Sequence, residues 1–136
     1  MYEKAFKLEI ITPERVLLQA EATSLSAPGV QGGFQILYDH APFVSTLDVG
    51  VLKVKDKEGR DTLYSTSGGF AEVKDNKVVV IAETAEPAGE IDVERAKAAK
   101  QRAEERIRSK KEDIDVERAR VALMKAVNRL RVSDKA

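Results

Sequence analysis

The chain has 136 residues, enough for one domain or a small domain with an appendage, and its 23 Lys/Arg balance 23 Asp/Glu. With no cysteine and one histidine, it excludes disulfides, thiolate chemistry and any multi-histidine metal site. The charge is uneven along the chain. Residues 1–89 carry 9 basic and 13 acidic side chains and residues 90–136 carry 14 and 10, which predicts two units with different partners. No basic–aromatic interleaving supports nucleic-acid binding. No signal-peptide pattern or bilayer-length apolar run occurs, so the chain is expected to be cytosolic or held at a membrane only through other proteins.

In chain order, residues 6–12 alternate apolar and polar side chains and stop at Pro13-Glu14, which predicts a half-buried strand and a turn. Residues 16–20 and 22–27 are two more short strands, closed by Pro28-Gly29, and residues 29–42 read as a dense loop region. Residues 51–55 and 62–66 flank the turn Asp56-Lys57-Glu58-Gly59-Arg60 as a hairpin. Gly68-Gly69 predicts a turn or bulge before a strand reaching Val73, and Asp75-Asn76-Lys77 turns again. Val78-Val79-Val80-Ile81-Ala82 is the most apolar strand and is expected to be central. Evenly spaced short strands predict an antiparallel β-sandwich or flattened barrel.

The pattern changes between Glu86 and Arg102. Pro87 fixes φ and Gly89 tolerates any φ, a combination that reads as a hinge. Asp92 is placed to cap a helix, with Ile91 and Ala96 as a hydrophobic staple. From there the period is that of a helix. Ala96, Ala99, Ala103 and Ile107 share one face, and Ala119, Leu123, Ala126, Val127 and Leu130 share another. The polar link 109–113 predicts an antiparallel two-helix hairpin and an α+β fold, divided into residues 1–87 and 88–136. Alanine lets helices approach closely but buries little area, so the arm is expected to be marginally seated and able to move.

Ile91-Asp92-Val93-Glu94-Arg95-Ala96 recurs as Ile114-Asp115-Val116-Glu117-Arg118-Ala119. Each copy makes sense as a cap and first turn, so the hexapeptide alone reads equally as a helix start or as part of a ligand site.

Four separated motifs carry a family resemblance: Gly32 with His40-Ala41-Pro42, Ser67-Gly68-Gly69-Phe70, the hexapeptide at 91–96, and Asn128-Arg129-Leu130. In this order, over essentially the whole chain, they resemble the epsilon subunit of bacterial F-type ATP synthases. The resemblance implies a non-enzymatic central-stalk subunit of the proton-translocating complex. Its sandwich would meet the gamma subunit and the c ring, and its helical hairpin would restrain ATP hydrolysis by moving between folded and extended arrangements. It also implies a peripheral place on the cytoplasmic face of the cell membrane, held there by the complex, and a monomer when isolated.

The branch of this family that binds ATP places the ligand on the folded hairpin. Position by position, the resemblance implies Glu86, Ile91, Asp92, Arg95, Ala96, Arg102 and Arg129 as contacts. Lys125 stands where that branch usually has another arginine, which keeps the charge but loses the bidentate fork. The arginines suit phosphate oxygens. Glu86 and Asp92 have the wrong sign for phosphate and suit the adenine amino group or the orientation of the arginines. No P-loop glycine pattern is present, so ATP is expected as a regulator and not a substrate, with the part played by Mg²⁺ left open.

The resemblance makes His40 the expected c-ring contact. Gly33, Gln35, Tyr38 and Asp39 depart from the family's usual acidic residue, glycine and Pro-Gly turn in that loop. Arg118, Arg120 and Arg131 form a basic helix face that is ordinarily just solvated. The resemblance makes them contacts to the alpha and beta subunits in the extended arrangement. Ser45 and Ser67 lack a base and third partner, so no triad is supported. A small-molecule enzyme would need paired acid and base groups, and a free-standing ATP sensor would share the hairpin site without the partners.

Overall fold

The computed structural model describes residues 4–109 and 115–135. The link at 110–113 and Ile114 of the second hexapeptide lie outside the described residues. Ten strands are described: β1 (Phe6–Ile11), β2 (Val16–Ala22), β3 (Ser24–Gly29), β4 (Gly32–Ile36), β5 (Phe43–Leu47), β6 (Gly50–Lys55), β7 (Asp61–Thr66), β8 (Gly69–Lys74), β9 (Lys77–Ala82) and β10 (Ala85–Pro87). A 3-10 turn (Ala88–Glu90) leads into α1 (Val93–Ser109) and then α2 (Val116–Lys135). The architecture is a near-closed β-sandwich followed by two helices packed together.

The strand order is β10-β7-β6-β3-β5-β8-β9-β1-β2, with β4 on the free side of β3. The two halves meet at one corner, where β3 and β5 share the single pair Gly29↔Leu47. Inward side chains of both halves interdigitate there, which is what alternating strands require if each sheet is to bury one face. Phe6, Leu8, Ile10, Val78 and Val80 come from one half, and Leu25, Ile36, Leu52, Val54 and Tyr64 from the other; all are buried.

The structure corrects two expectations about this body. Residues 29–42 are not all loop, because β4 pairs with β3 from Leu25↔Ile36 to Gly29↔Gly32. Gly32 and Gly33 have no side chains to show the alternation, which leaves only Phe34 and Ile36 to mark it. The sandwich is also not wholly antiparallel, since β1 runs parallel to β9 from Lys7↔Lys77 to Ile11↔Ile81. That pair closes the first strand on the ninth, a long-range choice with no local sequence signal. β9 does lie inside the sheet, flanked by β8 and β1.

Gly68 and Gly69 turn the chain into β8 with φ of 126° and 140°. A Cβ at Gly69 would stand 2.0 Å from the Ile81 carbonyl oxygen, so neither the angle nor the space admits a side chain.

Each helix begins as its hexapeptide predicts. The Arg95 N–H donates to Asp92 Oδ1 at 3.0 Å, and the Arg118 N–H to Asp115 Oδ1 at 3.1 Å. Ala96 and Ala103 of α1 and Ala119 and Ala126 of α2 are buried. Small side chains on both faces let the two backbones come close.

It is α2 that lies on the outer face of β6 and β7 and on the 3-10 turn. The seat is small. Val132 is fully buried, with Ala88 and Ile91 beside it and Val51 and Leu63 partly covered. One buried amide completes it: Asn128 Nδ2 donates to the Gly50 carbonyl at 2.6 Å and to Ser65 Oγ at 3.1 Å.

Candidate functional site

Between the sandwich and the helices lies a cleft of about 680 Å³. β1 and its turn supply Thr12, Glu14 and Arg15, and the end of β9 through β10 supplies Thr84, Ala85 and Glu86. The helical side supplies Asp92, Arg95, Ala96, Ala99 and Arg102 from α1 and its cap, and Arg129 from α2. Periodicity explains the α1 wall: positions 92, 95, 96, 99 and 102 follow the i, i+3, i+4, i+7 rule for one helical face.

Of the eight residues expected at a nucleotide site, six line this cleft: Glu86, Asp92, Arg95, Ala96, Arg102 and Arg129. Ile91 is placed elsewhere, buried with Ala88 and Val132 under the seat of α2. Lys125 is half-buried on α2 and does not line the cleft. Thr12, Glu14, Arg15 and Thr84 were not expected, because a turn and a strand end become a wall only when the hairpin folds down beside them.

Four arginines face three carboxylates here, and their partnerships differ. Arg129 Nε donates to Glu86 Oε1 at 2.6 Å, in a pair whose side chains are 31% and 35% exposed. This half-buried ion pair ties α2 to β10. Arg95 and Arg102 form no ion pair among the described residues, and both are exposed. A cleft with two unengaged guanidinium groups and a third held by one carboxylate can accept a polyanion, because each fork matches two phosphate oxygens. Among the described residues no group of three or more His, Asp or Glu is placed to hold a metal ion.

The other expected contacts lie apart from the cleft. His40 sits in the loop between β4 and β5, its ring 5.7 Å from that of Phe43. Its Nδ1 is 2.7 Å from the Ala41 carbonyl, which can only accept, so Nδ1 carries the proton. Leu37 and Tyr38 beside it are exposed. Arg118, Arg120 and Arg131 are exposed on α2, and among the described residues only Arg120 of the three has an ion-pair partner, Glu117 at 2.8 Å. The outer face of the second half-sheet carries an apolar row, Phe70, Ile81, Ile11 and Val16, set side by side by strand register. Phe70, Ile81 and Val16 are exposed, as is Val44 on β5. No described helix is long and apolar enough to cross a membrane.

A near-closed β-sandwich followed by two packed helices is the architecture of the delta/epsilon chains of ATP synthase. Residues 5–88 match the family model "ATP synthase, Delta/Epsilon chain, beta-sandwich domain", and residues 90–134 match "ATP synthase, Delta/Epsilon chain, long alpha-helix domain". The chain is 49% identical over 113 residues to the ATP synthase epsilon chain of Syntrophomonas wolfei, covering 83% of this chain and 82% of that one. It is 51% identical over 107 residues to that of Desulforamulus reducens, covering 79% and 80%. A chain in the Euglena gracilis mitochondrial ATP synthase structure of OSCP, F1 and c-ring superposes with a TM-score of 0.79 at 26% identity, covering 91% of this chain and 78% of that one. The chain belongs to the ATP synthase epsilon chain family, whose members are non-catalytic subunits.

Proposed function

We propose that the chain is a rotor subunit in the central stalk of a proton-translocating F-type ATP synthase, restraining ATP hydrolysis through a mobile helical arm. In this reading residues 1–87 are the docking body and residues 88–136 the regulatory arm. The outer row of Phe70, Ile81, Ile11 and Val16, exposed except for the half-buried Ile11, suits the gamma subunit, since contiguous apolar surface of this kind marks an interface. The loop bearing Leu37, Tyr38 and His40 suits the c ring, through which the complex would hold the chain at the cytoplasmic face of the membrane. In the extended arrangement Arg118, Arg120 and Arg131 meet the alpha and beta subunits.

ATP acts as a regulatory ligand of the folded arm. What supports this is the gathering of Glu86 from β10, Asp92, Arg95, Ala96 and Arg102 from α1 and its cap, and the distant Arg129 from α2, around one cleft that exists only while the arm is seated. A ligand that binds one state alone stabilises it by RT ln(1 + [L]/Kd), about 2.7 kcal/mol at a hundredfold excess over Kd. That is enough to decide the position of an arm held by so small a seat.

Titration of the isolated chain with ATP, with and without Mg²⁺, tests the ligand, with chemical shifts of the helix residues as the readout. Shifts confined to the residues of the cleft are expected, and an unchanged spectrum at millimolar ATP defeats the nucleotide part of the proposal. Truncation after Glu90 tests the arm. The sandwich should still fold and assemble but inhibit hydrolysis less, and undiminished inhibition would rule out a regulatory arm.

A further inference from the structure

Arg15 is the one arginine of the cleft that belongs to the sandwich. It stands at the end of the turn between β1 and β2, and the Thr12 N–H and Oγ1 donate to its carbonyl at 2.9 and 3.3 Å. Its backbone is therefore held while its side chain reaches across to the 3-10 turn. There Arg15 Nη2 donates to Glu90 Oε2 at 3.3 Å, in a pair whose side chains are 59% and 61% exposed.

The pair between Arg129 and Glu86 is shorter and half-buried, so water competes with it less. An exposed, longer pair contributes little and exchanges readily. Glu90 does not line the cleft, whereas Arg15 does, so this guanidinium can leave its carboxylate for an anion without leaving the site.

We infer that Arg15 is the body's own anion-binding residue, exchanging Glu90 for a phosphate oxygen when a nucleotide occupies the cleft. The inference rests on the nucleotide reading of that cleft. It supplies the part of the regulation that the helical residues alone leave out. Arg95 and Arg102 on α1 and Arg129 on α2 would let a ligand brace the two helices against each other. The sandwich's other charged residues in the cleft, Glu14 and Glu86, have the wrong sign for phosphate, so a cationic contact from the β1–β2 turn lets the ligand's phosphates tie the helices to the sandwich. Occupancy then joins three elements at once: the turn, α1 and α2.

The test compares ATP binding by calorimetry in the full chain and in Arg15→Gln, Arg15→Lys, Glu90→Gln and Arg102→Gln. Thermal melting without ligand confirms that each is folded. Arg15→Gln and Arg102→Gln should each weaken binding about five- to tenfold, the range for losing one charge-assisted contact in a partly exposed site. Arg15→Lys should recover part of the loss, because the charge remains without the fork. Glu90→Gln breaks the same ion pair but frees Arg15, so it should bind ATP as tightly as the unaltered chain or more tightly. Equal weakening by Glu90→Gln and Arg15→Gln makes the pair a structural tether and overturns the inference. Unchanged binding in Arg15→Gln, with weakening in Arg102→Gln, overturns it while leaving the nucleotide reading intact. Unchanged binding in both, or no binding by the unaltered chain, removes the two together.

Discussion

In the sandwich, Phe6, Leu8, Ile10, Leu25, Ile36, Leu52 and Val80 pack from two facing half-sheets into one interior. In the helical arm, the corresponding interior is a seam of Ala96, Ala103, Ala119 and Ala126, and its apolar hold on the body is Val132, packed with Ala88 and Ile91 against Val51 and Leu63. Hydrophobic stabilisation scales with apolar area, at about 25 cal/mol per Å², so large branched side chains on ten strands outweigh methyl groups on two helices. The difference teaches where motion belongs. A body that must keep its outer surfaces in place is built from side chains that cost several kcal/mol to remove. An arm held by alanine methyl groups and a single buried valine can be lifted from its seat at far smaller cost.

Removing core volume on the two sides sharpens the contrast most. Leu52→Ala should destabilise the sandwich by about 2–5 kcal/mol, since a buried leucine leaves a cavity in a rigid interior. Val132→Ala, equally buried, should cost about 1.5–2 kcal/mol at roughly 0.8 kcal/mol per methyl-sized group. The decisive measurement is hydrogen exchange resolved by element. Leu52→Ala should lower protection in every strand, and Val132→Ala only in α1 and α2. If Val132→Ala lowers the strands as much as the helices, arm and body unfold as one unit and the contrast fails.

Asn128 comes next. Its buried amide is the polar half of the seat, satisfying the Gly50 carbonyl and Ser65 Oγ. Asn128→Ala leaves both without that donor under a helix, which should cost about 1–3 kcal/mol. The loss should appear as roughly tenfold or greater deprotection of α2, with the melting of the sandwich nearly unchanged. Asn128→Asp should be worse still, because a carboxylate cannot donate to a carbonyl. An unaltered α2 in either variant would show that apolar contact alone seats the arm.

Much of this division was readable in the chain, for physical reasons that also explain what was not. Strands β1 and β6 announce themselves because their side chains alternate between a buried and a wet face, β7 because a turn pairs it with β6, and β9 because its run of Val78 to Ala82 is apolar throughout. β4 hides behind Gly32 and Gly33, and β10 because its three residues gain strand character only by pairing with β7. The helices are legible from their alanine periodicity, and their starts from Asp92 and Asp115. Gly89 was expected to serve a hinge through its freedom of φ, yet its φ lies outside the left-handed region that glycine alone adopts easily, and a Cβ there would meet nothing. Of the cleft, Asp92, Arg95, Ala96 and Arg102 were legible only through the family resemblance, and their i, i+3, i+4 spacing explains why they share one wall. Arg15 was not legible, because its place there depends on how the arm folds down against a distant turn.

The smallest effect separates two stretches that sequence alone cannot tell apart. Asp92 and Asp115 open the two copies of one hexapeptide, and each accepts a hydrogen bond from the N–H three residues on, at 3.0 and 3.1 Å. As caps they are the same object, so Asp92→Ala and Asp115→Ala should each cost about 1 kcal/mol of helix stability. Their surroundings differ. Asp92 and Arg95 line the cleft with Glu86 and Arg129, while Asp115 and Arg118 are exposed and line no part of it. Fraying of the first turn should therefore be alike in both variants by amide exchange, and ATP binding should weaken in Asp92→Ala alone. Equal binding in the two reduces the first copy to a helix start, and equal loss means that any frayed helix spoils the site. Only the asymmetric result shows that place in the fold gives one copy a second role.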